Sequence, residues 1–303
     1  MEIRAALKEG IARLRRAGTP SDTLAAELLL MHSLGRDRTW LYSHPESALD
    51  SQAEQKYFEF LARRAAGEPT QYITGKQEFW GLEFEVTPAV LIPRPETEHV
   101  MEVALELLGP RGLKIDLASG RPGEPLLVAD VGTGSGCLAV ALAWELPHAE
   151  IIATDISAVA MEVARRNAAR HQVANRIHFQ RTNLLENISV PPPAAQRGER
   201  CFDLIVSNPP YIGSTDASTL PREVREHEPH VALFSGPHGA ELYPSLIEQA
   251  RKRLRPGGIL AIELGYNSLD RVLPMLAVPQ DWTQVRVTND LAGIPRVLSA
   301  VRL

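Results

Sequence analysis

Asn208–Pro209–Pro210–Tyr211, at the end of the apolar run DLIVSN, is the segment best suited to chemistry. Its two prolines remove N–H donors and stiffen the turn. Two acceptors are left facing outward, the Asn208 side-chain oxygen and the Pro209 carbonyl. Together they match one planar NH2 group with both hydrogens held, and Tyr211 can cover that group by stacking. Such an arrangement suits a reaction at an amide or exocyclic amine nitrogen. An amide nitrogen is a poor nucleophile because its lone pair is delocalised. The site would therefore work by proximity and orientation, and by acceptors that stabilise positive charge developing on nitrogen.

A second candidate precedes it in the chain. Asp130–Val131–Gly132–Thr133–Gly134–Ser135–Gly136 lies between the apolar run LLVADV and the apolar run GCLAVALAWEL. Glycine lets the backbone turn sharply and approach a ligand. A helix start offers free N–H groups and a positive dipole end. A glycine loop alone is a weak signal, but its spacing is informative. Dinucleotide folds favour G-x-G-x-x-G, whereas here the glycines alternate and position 137 is Cys. The alternating loop opening on Asp resembles the first motif of class I S-adenosylmethionine-dependent methyltransferases. That resemblance implies that Asp130, Gly132, Thr133, Gly134, Ser135 and Gly136 border the methionyl part of the cofactor. It also implies that Asp155, in IIATDIS, holds the ribose hydroxyls. Asp155 is equally a candidate N-cap for a helix beginning near Ala158. With this cofactor, the Asn208–Tyr211 turn fits adenine-N6 DNA, guanine-N2 RNA and protein-glutamine methyltransferases alike.

Residues elsewhere separate these readings. Gly75–Lys76–Gln77–Glu78–Phe79–Trp80–Gly81–Leu82 and Leu91–Ile92–Pro93–Arg94–Pro95–Glu96–Thr97–Glu98 resemble the hallmark of the protein-glutamine methyltransferases. The segments DVGTGSGCLAVALA, VSNPPYI, RPGGILAIELG and DLAGIPR agree. Along nearly its whole length the chain resembles the peptide-chain release factor glutamine methyltransferases, the PrmC/HemK family. The resemblance implies S-adenosylmethionine as cofactor, no metal, and the glutamine of the Gly-Gly-Gln loop of class I release factors as target. The product would be N5-methylglutamine. Asn208, Pro209, Pro210 and Tyr211 would hold the glutamine amide, with Asn208 near the methyl group as well. Arg94 to Glu98 would border the pocket, Arg94 and Glu96 among them, unless those two form a structural ion pair with each other. A glutamine of a ribosomal protein is an alternative target with the same chemistry, and a nucleic-acid adenine is a third.

The chain departs from the family pattern at two places. Asn183, followed by Leu184, stands where the family carries an Asp facing the adenine amine. Asn still accepts a hydrogen bond but loses charge assistance, so a modestly weaker cofactor affinity is expected. The usual Gly-Gly-x-Asp-Gly reads Ser235–Gly236–Pro237–His238–Gly239, and His238 is read as a solvated loop histidine.

The elements that must position these residues follow from periodicity. Ile3, Leu7, Ile11 and Leu14 mark one helical face, with Gly18 as a stop. A second helix starts near Thr19–Pro20–Ser21–Asp22 and runs to Gly35. A third covers about 51–66. Residues 76–98 read as a hairpin turning at Gly81 and leading into a helix, HVMEVALELL. From 126 onward strands and helices alternate, ending in two strands, QVRVTND and PRVLSAVRL. Such alternation implies a mostly parallel sheet covered on both faces. The expected architecture is an α/β seven-stranded, Rossmann-like sheet preceded by a small helical bundle and a β-hairpin. The expected division is a helical recognition domain at 1–75, a hairpin linker at 76–98 and a methyltransferase domain at 99–303. Segments 109–125 and 189–200 read as surface loops.

Composition bounds the rest. At ~150 residues per domain, 303 residues suggest about two domains, and 44% hydrophobic with 23% charged residues is ordinary for a globular chain. No apolar run reaches the ~18–20 residues of a membrane span. MEIRAALKEGIARLRR lacks the apolar core of a secretory signal. Two cysteines, Cys137 and Cys201, suggest reduced thiols and a cytoplasmic setting. The net charge of −5, from 32 Lys and Arg against 37 Asp and Glu, disfavours direct nucleic-acid binding. A monomer with a protein partner is expected.

Overall fold

A computed structural model describes residues 1–113, 125–192, 198 and 201–303. The loops expected at 109–125 and 189–200 lie largely outside the described residues. The chain forms two compact units. One comprises Met1–Lys76 with Leu220–Glu228, the other Gln77–Thr219 with Pro229–Leu303.

The first unit is built on helices α1 (Ile3–Arg16), α2 (Asp22–Leu34), α3 (Arg38–Ser43), α4 (Ser51–Ala65) and α5 (Thr70–Thr74). Their apolar faces bury Ile3, Leu14, Leu29, Leu30, Tyr57 and Leu61 in one core. The expected second helix begins at Asp22, inside its start signal, with Ser21 at the N-cap position. Asp37 and Asp50 cap α3 and α4 by accepting from Trp40 and Ala53 backbone N–H groups. A distant segment joins this unit: buried Arg64 pairs with Glu223 at 2.5 Å.

The second unit opens with a hairpin, β1 (Lys76–Phe79) and β2 (Leu82–Glu85). Trp80 and Gly81 both have positive φ, the backbone of a two-residue turn matched to strand twist. A 3-10 turn at Pro95–Thr97 leads into α6 (Glu98–Leu113), whose helical geometry breaks at Gly109. Then follow β3 (Leu126–Val131), α7 (Cys137–Glu145), β4 (Ala149–Asp155), α8 (Ala158–Arg170), β5 (Ile177–Arg181) and β6 (Phe202–Ser207). Three short elements come next: a 3-10 turn at Ser214–Thr219, α9 (Arg222–His227, in the first unit) and α10 (His230–Leu233). The fold closes with α11 (Tyr243–Arg253), β7 (Leu254–Glu263), α12 (Leu269–Leu276), β8 (Trp282–Asn289) and β9 (Pro295–Arg302).

The strand order is β5-β4-β3-β6-β7-β9-β8. Strands β5 to β7 in that order are parallel, and β9 runs antiparallel to both β7 and β8. The expected α/β sheet with its closing pair is therefore present. Alternate residues of each strand face opposite layers. Val128, Ile151, Leu204 and Ile259 pack under α6, α7 and α8, while Leu127, Ile152, Ile205 and Leu260 pack under α11 and α12. Both faces are covered, which is why the strands read as continuous apolar runs. The chain order reverses between β3 and β6, and this switch point is where open α/β sheets bind ligands.

One buried amide ties the hairpin to the glycine loop. Asn167 on α8 accepts from the Glu85 N–H at 2.7 Å and donates to the Glu85 and Ser135 carbonyls at 3.0 and 2.9 Å. It is fully buried. Asn167→Ala strands three backbone groups that water cannot reach, each worth about 1–3 kcal/mol. A loss of about 3 kcal/mol in urea unfolding of the second unit is expected, with weakened binding at the glycine loop. Unchanged unfolding would show that the clamp is dispensable.

Candidate active site

A cavity of about 420 Å3 opens at the switch point, within the range of small-molecule sites. Its walls come from loops that leave the carboxyl ends of parallel strands. After β3 come Gly132, Thr133, Gly134 and Ser135, at the end of β4 Asp155, after β5 Asn183 and Leu184, and after β6 Asn208 and Pro210. Val90, Pro93 and Thr97 enter from the segment after the hairpin, and Phe234, Ser235 and Leu242 from the segment around α10. The cavity thus brings together most of the residues singled out from sequence. Five of the others lie just behind its wall or beside it: Asp130, Gly136, Pro209, Arg94 and Glu96.

The glycine loop is held from beneath by Asp130. This carboxylate is fully buried and accepts from the Thr133 hydroxyl at 2.6 Å and the Ala139 N–H at 3.1 Å. Burial raises its pKa to about 7 in spite of those bonds. Asp130 therefore shapes the loop and does not line the cavity. Gly136 does the same by its lack of a side chain. Its φ is +83°, and a Cβ there would come 3.2 Å from the Ala164 backbone on α8.

Asp155 bridges the loop and the next helix. Its Oδ2 accepts from Gly134 N–H at 2.9 Å and its Oδ1 from Ser157 N–H at 2.8 Å. Burial raises its pKa, against the pull of these bonds. The N-cap of α8 is Ser157, whose hydroxyl accepts from Ala160 N–H. The carboxylate of Asp155 is thus not the cap, and each oxygen keeps acceptor capacity toward the cavity. On the far wall, Asn183 donates through Nδ2 to Glu186 Oε1 at 2.8 Å. That bond turns its Oδ1 away from Glu186.

The Asn208–Tyr211 turn is anchored on both sides. Ser207 donates to the Val131 carbonyl at 2.7 Å, joining the ends of β6 and β3. Ile212 exchanges backbone bonds with Leu233 and Ser235 at 2.9 and 3.0 Å. Asn208 Nδ2 donates to Thr97 Oγ1 at 2.9 Å. Tyr211 does not line the cavity. Its ring lies against Gly265, where a Cβ would come 2.9 Å from Cδ2, and its hydroxyl donates to Glu263 Oε1 at 3.1 Å. Burial and the Glu263 charge push the tyrosine pKa well up, so it serves as a neutral donor.

Glu263 is the site residue that the motifs leave out, whereas Thr97 lies inside the Arg94–Glu98 border that they mark. Glu263 ends β7 and is fully buried. No donor reaches its Oε2 at full hydrogen-bond geometry, and the Thr97 hydroxyl approaches the carboxylate more loosely. Burial lifts its pKa to about 7, while Thr97, Tyr211 and Arg296 oppose that rise. A lone carboxylate in the apolar strand GILAIEL is the signal that marks it in sequence. Cys137 also borders the cavity. Burial and the nearby Asp130 raise its thiol pKa to about 12, which leaves it inert as a nucleophile. Cys201 is buried and free. Among the described residues no cluster of His, Cys, Asp or Glu is arranged to hold a metal ion, and no helix is long and apolar enough to cross a membrane.

The Glu263 shift has a sign that can be measured. A carboxyl whose pKa rises on folding, here from 4.5 to about 7, costs nothing at pH 4 and progressively destabilises the fold as pH rises through 7. Glu263→Gln removes that cost. Its thermal midpoint should exceed that of the parent at pH 8, by at most ~3 kcal/mol in stability, and match it at pH 4, below the unfolded value of 4.5. Equal midpoints at both values would place the ionised form in a better-solvated state than its burial implies.

Comparison with known proteins agrees with this arrangement. Residues 5–75 match the PrmC N-terminal domain, and residues 123–220 match the methyltransferase small domain. A release factor glutamine methyltransferase of Koribacter versatilis is 44% identical over 298 residues, covering 98% of each chain. One from Bradyrhizobium diazoefficiens is 40% identical over 99% of this chain and 95% of its own. The solved catalytic domain of hMettl16 in complex with MAT2A 3'UTR hairpin 6 has a TM-score of 0.54 at 18% identity, covering 80% of this chain and 81% of that one. At that identity the likeness concerns the fold. Identity at the level of the first two along the full length, on a sheet whose switch point carries the glycine loop and the Asn-Pro-Pro-Tyr turn, shows that the chain is a methyltransferase belonging to the release factor glutamine methyltransferase family.

Proposed function

We propose that this protein methylates the side-chain amide nitrogen, N5, of the glutamine in the Gly-Gly-Gln motif of class I peptide-chain release factors, with S-adenosylmethionine as methyl donor. The observation that carries the reading is the state of Asn208. Its amide nitrogen is engaged by Thr97, so its oxygen is the end left for a donor. That oxygen and the Pro209 carbonyl can accept both hydrogens of a primary amide. Held this way, the amide nitrogen is oriented before reaction, and the acceptors stabilise positive charge as it develops on nitrogen. The names of the full-length relatives support the release factor as the acceptor protein.

The cavity residues fit the cofactor. Bound S-adenosylmethionine supplies an electrophilic methyl group. The backbone of Gly132 to Ser135 would lie along its methionyl part, and the free lone pairs of Asp155 would accept from two ribose hydroxyls. Asn183 Oδ1, turned from Glu186, would accept from the adenine amine, with Leu184 beside it. Arg94, half-buried, and Glu96, exposed, flank Thr97 at the pocket border and would meet the substrate chain.

Two measurements test this. Labelled cofactor is offered with release factor, ribosomal protein and DNA in separate reactions. Label on the release factor glutamine is expected, and label confined to DNA would sink the reading. Asn208→Ala should lower turnover by about a thousandfold while S-adenosylhomocysteine binding stays within several-fold.

The Asn183–Glu186 bond refines the expectation for cofactor affinity. Asn183→Asp gains charge assistance toward the adenine amine but sets two carboxylates side by side, a loss of similar size at this exposed position. Alone it should change the dissociation constant little. In a Glu186→Gln background it should tighten binding about threefold. Additive effects in that double-mutant cycle would separate Asn183 from Glu186.

A further inference from the structure

We propose that Thr97 and Glu263 form a positioning relay that decides which end of the Asn208 side chain faces the substrate. The proposal rests on the amide-methylation reading above and adds the residues that orient its acceptor.

Hydrogen count fixes the direction of each bond in the chain. Thr97 has a single hydroxyl hydrogen and lone pairs. Its oxygen accepts from Asn208 Nδ2 at 2.9 Å, so its hydrogen is directed elsewhere, and the Glu263 carboxylate is the acceptor it approaches. An ionised carboxylate only accepts. Tyr211 supplies one donor to its Oε1 at 3.1 Å, and the Thr97 hydroxyl is the second donor that approaches it. With Thr97 committed as donor to Glu263, Asn208 must present its NH2 to Thr97 and its oxygen to the cavity. That is the polarity a substrate amide requires.

Protonation of Glu263 reverses the chain. A neutral carboxyl donates its own hydrogen to Thr97, Thr97 turns its hydrogen toward Asn208, and the Asn208 amide is stable with its oxygen inward. The NH2 then facing the cavity opposes the N–H groups of the substrate. Other groups act on Glu263 from each neighbouring element. Arg296 on β9 favours the ionised form, and Glu96 before α6 opposes it. Arg94 and Arg296 act on the Tyr211 hydroxyl. Tyr243 on α11 donates to the Glu263 backbone carbonyl at 2.9 Å, and the Cys137 thiol on α7 senses the carboxylate. With Glu263 titrating at about 7, both polarities fall in an accessible range.

The test uses Thr97→Val, Thr97→Ser and Glu263→Gln. The Glu263→Gln variant imitates the protonated carboxyl, since its amide oxygen accepts from Tyr211 and its NH2 faces Thr97. The side-chain amide signal of Asn208 in a 1H–15N spectrum of the free enzyme should titrate near pH 7 in the parent and in Thr97→Ser. It should not titrate in Thr97→Val or Glu263→Gln. With release factor as acceptor, kcat should rise through the same pH range in the parent and Thr97→Ser. It should be flat and at least about tenfold lower at pH 8 in Thr97→Val and Glu263→Gln. S-adenosylhomocysteine binding by calorimetry, within about threefold in all four proteins, checks that the fold is intact. Should one of the two disabling variants not fold, the other carries the comparison. An Asn208 signal that does not titrate in the parent, or a Thr97→Val enzyme with parental kcat and pH profile, overturns the relay. A titrating Asn208 signal with no methyl transfer to release factor leaves the relay standing and overturns the choice of acceptor.

Discussion

Parallel strands all deliver their carboxyl ends to one edge of a sheet, and the whole site depends on that constraint. The glycine loop, Asp155, Asn183, Asn208 and Glu263 come from the ends of five successive parallel strands, β3 to β7. They are separated by up to about 130 positions in sequence, yet the sheet spaces their backbones at the ~5 Å of neighbouring strands. The reversal of strand order between β3 and β6 leaves a gap at that edge which no crossover helix fills. A cavity therefore forms where the polar loop residues converge. The antiparallel pair β9 and β8 closes the far side, and Arg296 near the start of β9 faces the buried carboxylate that ends β7.

Burying carboxylates is how the edge is made rigid. Asp130 under the glycine loop and Glu263 under the Asn-Pro-Pro-Tyr turn are fully buried, and both have pKa values near 7. Each organises hydroxyl donors, Thr133 in one case and Tyr211 with Thr97 in the other. A buried carboxylate with incomplete partners destabilises a fold. Neither gives the protein stability that an apolar residue could not supply, so their value lies in geometry. The same logic applies to Asn167, a buried amide whose bonds all go to backbone groups of the hairpin and the loop. Polar groups placed out of reach of water have few alternative partners, and that restricts the loops they hold to one arrangement.

Much of this is legible without the fold, because the relevant signals are local. Apolar periodicity of two or 3.6 residues identifies strands and helices. The hairpin is readable from its aromatic alternation around Gly81, and its two-residue turn is Trp80–Gly81. The Asn208–Tyr211 turn declares its acceptors through the absence of proline N–H groups. Short elements such as α3, α9 and α10 escape, since four to six residues carry too little periodicity. The inclusion of Leu220–Glu228 in the helical unit escapes too, because the Arg64–Glu223 pair joins residues 159 positions apart. Pattern also offers Asp155 as a helix cap, and the choice of Ser157 instead turns on a two-residue offset that pattern alone leaves open.

By itself the sequence determined the order of elements, the parallel character of the sheet and the chemical types gathered at its edge. Those follow from side-chain polarity and backbone freedom, which each residue carries wherever it sits. Only the tertiary structure decided which way the acceptors point. Tyr211 turns to Glu263 rather than lining the cavity, Asn208 is fixed by Thr97, and Asn183 by Glu186. A hydrogen bond has a direction and a partner, and both depend on distances between residues that the chain keeps far apart until the sheet assembles.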